Sequence, residues 1–380
     1  MSKPHFIIKN NFQKGGTYKE LLKPKILSDV CRRITGSPQY SVTWENEVNK
    51  GRMAILEHNG RRDYISFSEI VNEGRNSFFQ SVPSALNQCI LETDKNNRPY
   101  YYFLPIDGEY QTAYHKFMYR LLSTVGVQFL NQSDFLENSI TPFASVEDII
   151  RAREENRGKK KSNNSTYMTL DGDKVQIFAK VYGANKYESE LFALASHNLT
   201  NSKIELFQIK EQDLKELPKP SKQVLSMLCG HNLELIIGDM TLEKKVFETG
   251  DSLRSPRYIY NLLAHLGPKK CALCSCDIPE IIQGAHIWGV SQIKRDHTMT
   301  QDEKITHATS MFNGLWLCEN HHKLFDCGLI GIGSDGVVSV DSHLESKQEE
   351  FVRYITPDMR VPEEFMTPGL IEYLSRRYAA

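Results

Sequence analysis

Metal-ligating side chains crowd one end of the chain. Of its eight cysteines and twelve histidines, Cys271, Cys274, Cys276, Cys318 and Cys327 share a single stretch with His286, His297, His307, His321 and His322, whereas Cys31, Cys89 and Cys229 are scattered. The opening residues, Met1-Ser2-Lys3-Pro4-His5, lead into no apolar run long enough for a secretory signal. The expectation is a cytoplasmic protein in which clustered Cys and His serve a metal rather than disulfides. Cys271-Ala272-Leu273-Cys274 is a C-x2-C pair, and Cys318-Glu319-Asn320-His321 repeats the spacing with histidine in last place. Two such knuckles supply four ligands to a tetrahedral Zn²⁺. Cys276 and His322 compete for the same positions. Zinc contributes on the order of 10 kcal/mol to the folding of a small module, enough to hold polar loops in one shape.

A second set of groups lies between and just after the knuckles. Phosphodiester hydrolysis needs an activated water, a cation on the scissile phosphate and a group to steady the leaving oxygen. A neutral imidazole is suited to take the water's proton near pH 7, and His286, at the end of an apolar strand, is placed for it. Asn313 opens the next strand, where its amide can pin the connecting loop and orient the His286 ring. His322 falls in the following helix with Asp326 four residues on, the spacing that puts two side chains on one face. Together they can hold one Mg²⁺ or similar ion with several waters in place. For Asp326 the alternative is a helix-surface carboxylate or a cap for the turn at Gly328.

The runs Gly284-Ala285-His286-Ile287, Asn313-Gly314-Leu315-Trp316-Leu317-Cys318 and His321-His322-Lys323-Leu324-Phe325-Asp326-Cys327-Gly328-Leu329 resemble the HNH nuclease family, which has the ββα-metal fold. The likeness extends from Cys271 to about Ile332. The Asp335-Gly336 turn and a closing helix near Gly369–Arg377 look like that family's tail, and an HNH-type type II restriction endonuclease is the member most resembled. The resemblance implies His286 as general base, Asn313 as the middle member of the motif and His322 as a ligand of the catalytic metal. It also implies structural zinc on Cys271, Cys274, Cys318 and His321, with Mg²⁺ or a similar divalent cation as the catalytic cofactor. Asp326 as a second ligand comes from the residues alone. Ala285 stands where many members carry an acid, and Gly289 where a proline often follows. The insertion from Val290 to Phe312 carries Lys294, Arg295, His297 and His307, and is expected either to touch DNA or to be a floppy surface excursion.

These groups must be positioned by the rest of the chain. At 380 residues, 40% hydrophobic and 24% charged, it is long enough for two or three domains with real cores. No apolar run approaches the length of a membrane span. Tyr40–Trp44, Met53–Leu56 and Tyr64–Phe67 read as strands, the last two joined by a turn at Asn59-Gly60-Arg61. Thr112–Val125 reads as a helix, and Tyr100-Tyr101-Tyr102-Phe103 as a buried strand rather than a base-stacking surface. Arg151–Asn164 is polar and basic, and reads as a linker or an exposed loop able to grip phosphates. Beyond it, Tyr167–Leu170 and Val175–Val181 form a hairpin about Asp171-Gly172-Asp173. A helix over Glu188–Leu199, a strand over Lys203–Ile209, a helix near Val224–Leu228 and a strand over Leu233–Ile237 follow. This β-β-α-β run invites comparison with the common restriction-nuclease core. Asp173 and Lys180 are present, but Phe178 occupies the position where that core needs a carboxylate, so the segment is assigned to recognition or scaffolding.

The fold class expected is therefore α+β and multidomain. Residues 1–147 form a mixed α/β recognition domain, 148–255 a central α/β recognition or scaffold domain, and 256–380 the zinc-bound ββα-metal nuclease with its C-terminal helix. Forty-six Lys and Arg against 47 Asp and Glu give a net charge of −1, which argues against a nonspecific nucleic-acid coat. No G-x4-G-K-[ST] phosphate loop exists, which removes a helicase. The expected function is sequence-specific cleavage of double-stranded DNA by a homodimer, since a duplex break needs two active sites, with a cognate DNA methyltransferase as partner. Lys294, Arg295, Lys323, Arg151, Arg153 and Arg157 are the candidate DNA contacts. The alternatives are a modification-dependent or other defence or homing nuclease, and a zinc-scaffolded DNA-binding protein without catalysis.

Overall fold

The computed structural model describes residues 3–10, 22–46, 53–67, 75–92, 97–104, 113–131, 140–156, 166–181, 185–210, 216–249 and 255–379. Its contacts divide the chain into two interleaved units. The first comprises Met1–Asn156, Val181–Ile204 and Asp213–Glu234, and the second Arg157–Lys180, Glu205–Gln212 and Leu235–Ala380. The segment 148–255 thus contributes to both.

The first unit is built on a six-stranded mixed sheet of order β2-β1-β3-β4-β5-β6, made of β1 (His5–Asn10), β2 (Ser41–Asn46), β3 (Met53–His58), β4 (Arg61–Phe67), β5 (Arg98–Tyr102) and β6 (Gln128–Phe129). The β3–β4 hairpin turns on Asn59 and Gly60, both at positive φ (50° and 75°), as a two-residue turn matching the strand twist requires. Phe6, Ile8, Ala54, Leu56, Ile65, Tyr100 and Tyr102 form a core with Leu27, Val30 and Cys31 of α1 (Pro24–Thr35). The aromatic run at 100–103 is buried throughout, which makes it core rather than a stacking platform. Helices α2 (Arg75–Leu91), α3 (Ala113–Thr124) and α4 (Val146–Glu155) belong to the same unit. The basic stretch expected to be a linker in fact begins as the last turn of α4, whose N-cap Ser145 accepts a hydrogen bond from the Asp148 amide; its residues 157–164 lie outside the described ones. Helices α5 (Asn185–Leu199) and α6 (Lys219–Cys229) complete the unit.

The second unit carries most of a four-stranded sheet of order β10-β9-β8-β7, from β7 (Thr166–Asp171), β8 (Lys174–Lys180), β9 (Lys203–Ile209) and β10 (Leu233–Gly238). After α7 (Met240–Thr249) and α8 (Pro256–Leu266) come the elements that carry the Cys and His cluster. These are β11 (Ile282–His286), α9 (Val290–Arg295), α10 (Gln301–Ala308), β12 (Gly314–Cys318), α11 (Glu319–Asp326), the ribbon β13 (Ile330–Ile332) and β14 (Val338–Val340), α12 (Ser346–Ile355) and α13 (Pro368–Tyr378). One hydrophobic core joins Tyr167 and Phe178 of the sheet to Tyr258, Leu262, Ile282, Ala285, Leu315, Trp316, Phe325 and Leu374. Phe178 is 1% exposed and stacks on Phe207, while the Lys180 ammonium lies over the Tyr260 ring. The place where a nuclease carboxylate would stand is apolar interior. Among the described residues no helix is long and apolar enough to cross a membrane.

Candidate active site

The hairpin of β11 and β12 sets the site. Its antiparallel register places Ile282 opposite Cys318, Gly284 opposite Trp316 and His286 opposite Gly314. Strand β12 is buried along its whole length, so its end at Cys318 and the start of α11 are fixed by packing. The first knuckle is tied to the same strand, because the Ala272 amide donates to the Trp316 carbonyl and the Cys271 amide to the Cys276 carbonyl, each at 2.9 Å.

Cys271, Cys274, Cys318 and His321 come together with their ligand atoms all within 4.8 Å of one another. His321 Nδ1 lies 3.5 Å from the Cys271 sulfur and 3.2 Å from that of Cys318, and the Cys274 and Cys318 sulfurs are 3.9 Å apart. Ligands about 2.0–2.3 Å from a tetrahedral zinc span edges of about 3.3–3.8 Å, so this group fits Zn²⁺. The far side of His321 agrees. Thr356 Oγ1 donates to the Val352 carbonyl at 2.7 Å, so across the 3.0 Å to His321 Nε2 it accepts. The imidazole therefore carries its proton on Nε2 and turns a free Nδ1 lone pair to the sulfurs, the arrangement a bound metal asks of its outer partners. Burial pushes the Cys271 thiol up to about 12 and raises that of Cys274; a dication supplies the charge that lets such sulfurs ionise. Of the competing ligands, Cys276 and His322 fall outside the group, and among the described residues no other set of three His, Cys, Asp or Glu side chains is close enough to share an ion.

His286 ends β11 half-buried. Its Nε2 is 2.9 Å from the Ala308 carbonyl. A carbonyl only accepts, so Nε2 carries the proton and Nδ1 the lone pair. Desolvation pushes the pKa of the ring down to about 4; the Ala308 carbonyl pulls the other way, and the nearby His322 adds to the depression. The ring is uncharged at neutral pH. Asn313, fully buried, accepts from the Trp288 amide at 2.7 Å and donates to the Trp288 and His307 carbonyls, both at 3.1 Å. It pins the connecting loop as expected. None of these bonds reaches the His286 ring, whose orientation comes from Ala308.

On α11, His322 Nε2 and Asp326 Oδ2 stand 3.3 Å apart, close enough to ligate one octahedral cation. The insertion from Val290 to Phe312 is largely helical. It folds into α9 and α10, bury Ile293, Ile305 and Ala308, and through Ala308 it supplies the carbonyl on which His286 rests. Of the candidate DNA contacts, Arg295 and Lys323 are exposed, and Lys294 places its ammonium over the Phe247 ring. In the first unit Arg151 is exposed and paired with Asp148 at 2.5 Å and Arg153 is buried; Arg157 lies outside the described residues. Two side chains at the site went unmarked by any motif. Arg377 of α13 donates to the Ile287 carbonyl at 3.0 Å and the Phe325 carbonyl at 2.6 Å, clamping the hairpin to α11. Tyr258 of α8 stacks on His286, with ring centroids 4.1 Å apart and planes 11° from parallel. Their helices lie outside the Cys271–Ile332 pattern, where no spacing rule singles them out.

A protein-family model described as HNH endonuclease matches residues 271–333. No curated protein matches the chain. The matched segment spans both knuckles, His286, Asn313, His322 and Asp326, and supports an HNH nuclease domain at the C-terminal end, with a divalent metal and DNA as what such a domain requires.

Proposed function

We propose that the chain is a sequence-specific double-stranded DNA endonuclease of the type II restriction class, cutting at the His286 site as a homodimer. The observation that carries the hydrolytic reading is the state of His286. Its Nε2 proton is committed to the Ala308 carbonyl, and Nδ1 is left as the lone pair that can accept a proton from water. A ring held at about 4 is a weak base, but a neighbouring phosphate anion favours the protonated form and lifts that value as DNA binds.

His322 and Asp326 are the residues that would hold the catalytic Mg²⁺ or similar ion, which when bound neutralises charge on the scissile phosphate and acidifies its water. Cys271, Cys274, Cys318 and His321 would hold structural zinc. Asn313 keeps the loop between base and metal helix in one conformation. Attack by water leaves a 5′-phosphate and a 3′-hydroxyl, as in the family resembled. Support for site specificity is architectural: some 250 residues precede the nuclease segment, and among those described the Asp173/Lys180 region lacks a catalytic carboxylate. Arg295, Lys294 and Lys323 would meet the DNA backbone beside the site, and Arg151, Arg153 and Arg157 belong to the recognition part, Arg153 through its buried place in α4. A cognate methyltransferase would protect the host's own sites, and the protein would act in the cytoplasm.

The test is to digest unmethylated phage DNA with wild type and His286→Ala in Mg²⁺ and to sequence the ends. Discrete fragments sharing one short site, with the variant about 100- to 10,000-fold slower, are expected. Cutting of methylated DNA alone would identify a modification-dependent nuclease. Binding without cutting would identify a zinc-scaffolded DNA-binding protein.

A further inference from the structure

Helix α8 lies upstream of the matched nuclease segment, yet it meets the general base and the strut that holds it. Tyr258 covers one face of the His286 imidazole at 4.1 Å, nearly parallel. The hairpin is bare where the phenol lies. A Cβ on Gly314, the residue opposite His286, would stand 2.1 Å from Tyr258 Oη, and one on Gly284 would stand 3.1 Å from Cε1. The ring is 1% exposed, and its hydroxyl reaches the Asn313 carbonyl at 3.4 Å. Its backbone is set by the N-cap of α8, where Ser255 Oγ accepts from the Tyr258 amide at 3.1 Å. One turn on, Asn261 donates to the Thr309 carbonyl at 2.7 Å, next to the Ala308 carbonyl that takes the His286 proton.

We infer that Tyr258 is a positioning residue for the His286 base. This rests on the reading of His286 as base. One hydrogen bond at Nε2 leaves the imidazole free to pivot about the bond axis. A flat ring against its face removes that freedom, so the carbonyl and the phenol together leave Nδ1 one direction in which to accept a proton. The phenol also excludes water from one face of the ring and favours its uncharged form. Being fully buried, the hydroxyl keeps its own proton and takes no part in the transfer. What counts is therefore the flat aromatic face, not the oxygen.

The test uses the full zinc-loaded chain with Mg²⁺ and plasmid DNA, comparing Tyr258→Phe, Tyr258→Leu and Tyr258→Met. The expected results are single-turnover cleavage within about threefold of wild type for Phe, and a loss of about 30- to 100-fold for Leu and Met. DNA affinity and zinc content should stay unchanged in all three. A merely structural role would lower stability or affinity of the Leu and Met variants in step with their cleavage rate, without this split. Folded Leu or Met variants that cut as fast as wild type overturn the inference. A measurement on the wild-type chain covers the case in which neither folds. The His286 Hε1 proton resonance, assigned by its absence in His286→Ala, should lie upfield through the ring current of Tyr258, and an unshifted resonance overturns the inference. If His286→Ala itself cuts like wild type, the reading of the base fails. If His286→Ala is inactive and the Leu and Met variants are not, only the role of Tyr258 fails.

Discussion

A histidine at the end of an apolar strand is ordinarily a packing residue. What sets His286 apart is that one nitrogen meets a carbonyl, while the Asp326 carboxylate of α11 is paired with His322. Residue types and spacing were enough to single out His286, Asn313 and His322 as candidates, because the proposed reaction would demand those types. The partners were not legible. Asn313 reads as an orienter of the imidazole until Ala308 is seen to occupy that place, and Ala308 gets there only because Ile305 and Ala308 are buried on α10. The same limit applies to Glu190 of α5, which no pattern marks. It is fully buried with neither carboxylate oxygen well bonded, and desolvation raises its pKa to about 7 against the smaller pull of Ser221 and Asn87. A folded-state value above the unfolded one means that the native state binds the extra proton. Stability is therefore highest below about pH 4.5 on this group's account, and is lost as pH rises toward and through 7. Glu190→Gln should remove that slope and stabilise the first unit by about 3 kcal/mol at pH 8, with little gain at pH 4. Denaturant unfolding of both proteins at the two pH values measures it, and an equal gain at both would refute the ionisation account.

At the level of elements, the knuckles were readable because metal coordination fixes both ligand type and spacing. Which of Cys274 or Cys276, and which of His321 or His322, joins the group depends on backbone direction. The Cys271–Cys276 hydrogen bond closes the first knuckle, and the first turn of α11 points His321 inward while His322 sides with Asp326. Helix α12 then adds what no ligand pattern contains, Thr356 behind His321. Removing that hydroxyl should loosen the metal without touching a ligand. Thr356→Val is expected to weaken zinc about 10- to 100-fold in competition with a chelator, whereas Thr356→Ser should hold it. If Val binds zinc like wild type, the hydrogen bond is incidental. The helices of the insertion were missed for a related reason. Its polar residues suggest a loop, while its few apolar ones, Val290, Ile293, Ile305 and Ala308, fall at helical spacing and are buried.

Across the whole molecule, many strands and helices were legible, because alternation and helical periodicity are local, but β1, α1, α2, α7, α8 and α12 were not picked out. Nor was the interleaving of the two units legible, because β8 and β9 pass along one sheet while the chain between them builds α5 of the other unit. That kind of crossing leaves no mark in composition. Among the described residues the proposed site offers one His286 and one His322/Asp326 pair, and Phe178 stands in the apolar core at the position where the other nuclease core needs a carboxylate. A single site faces one strand polarity at a time, whereas the two strands of a duplex run antiparallel. Two copies related by a two-fold axis satisfy both strands with identical chemistry. The proposed homodimer therefore has a kinetic signature. Wild type mixed one-to-one with an excess-competent, folded His286→Ala should form mixed dimers that cut only one strand. Supercoiled plasmid should then accumulate as nicked circles, where wild type alone yields linear product. If the mixture instead gives linear product at half the wild-type rate with no build-up of nicked circles, one chain cuts both strands in succession, and the two-fold arrangement is wrong.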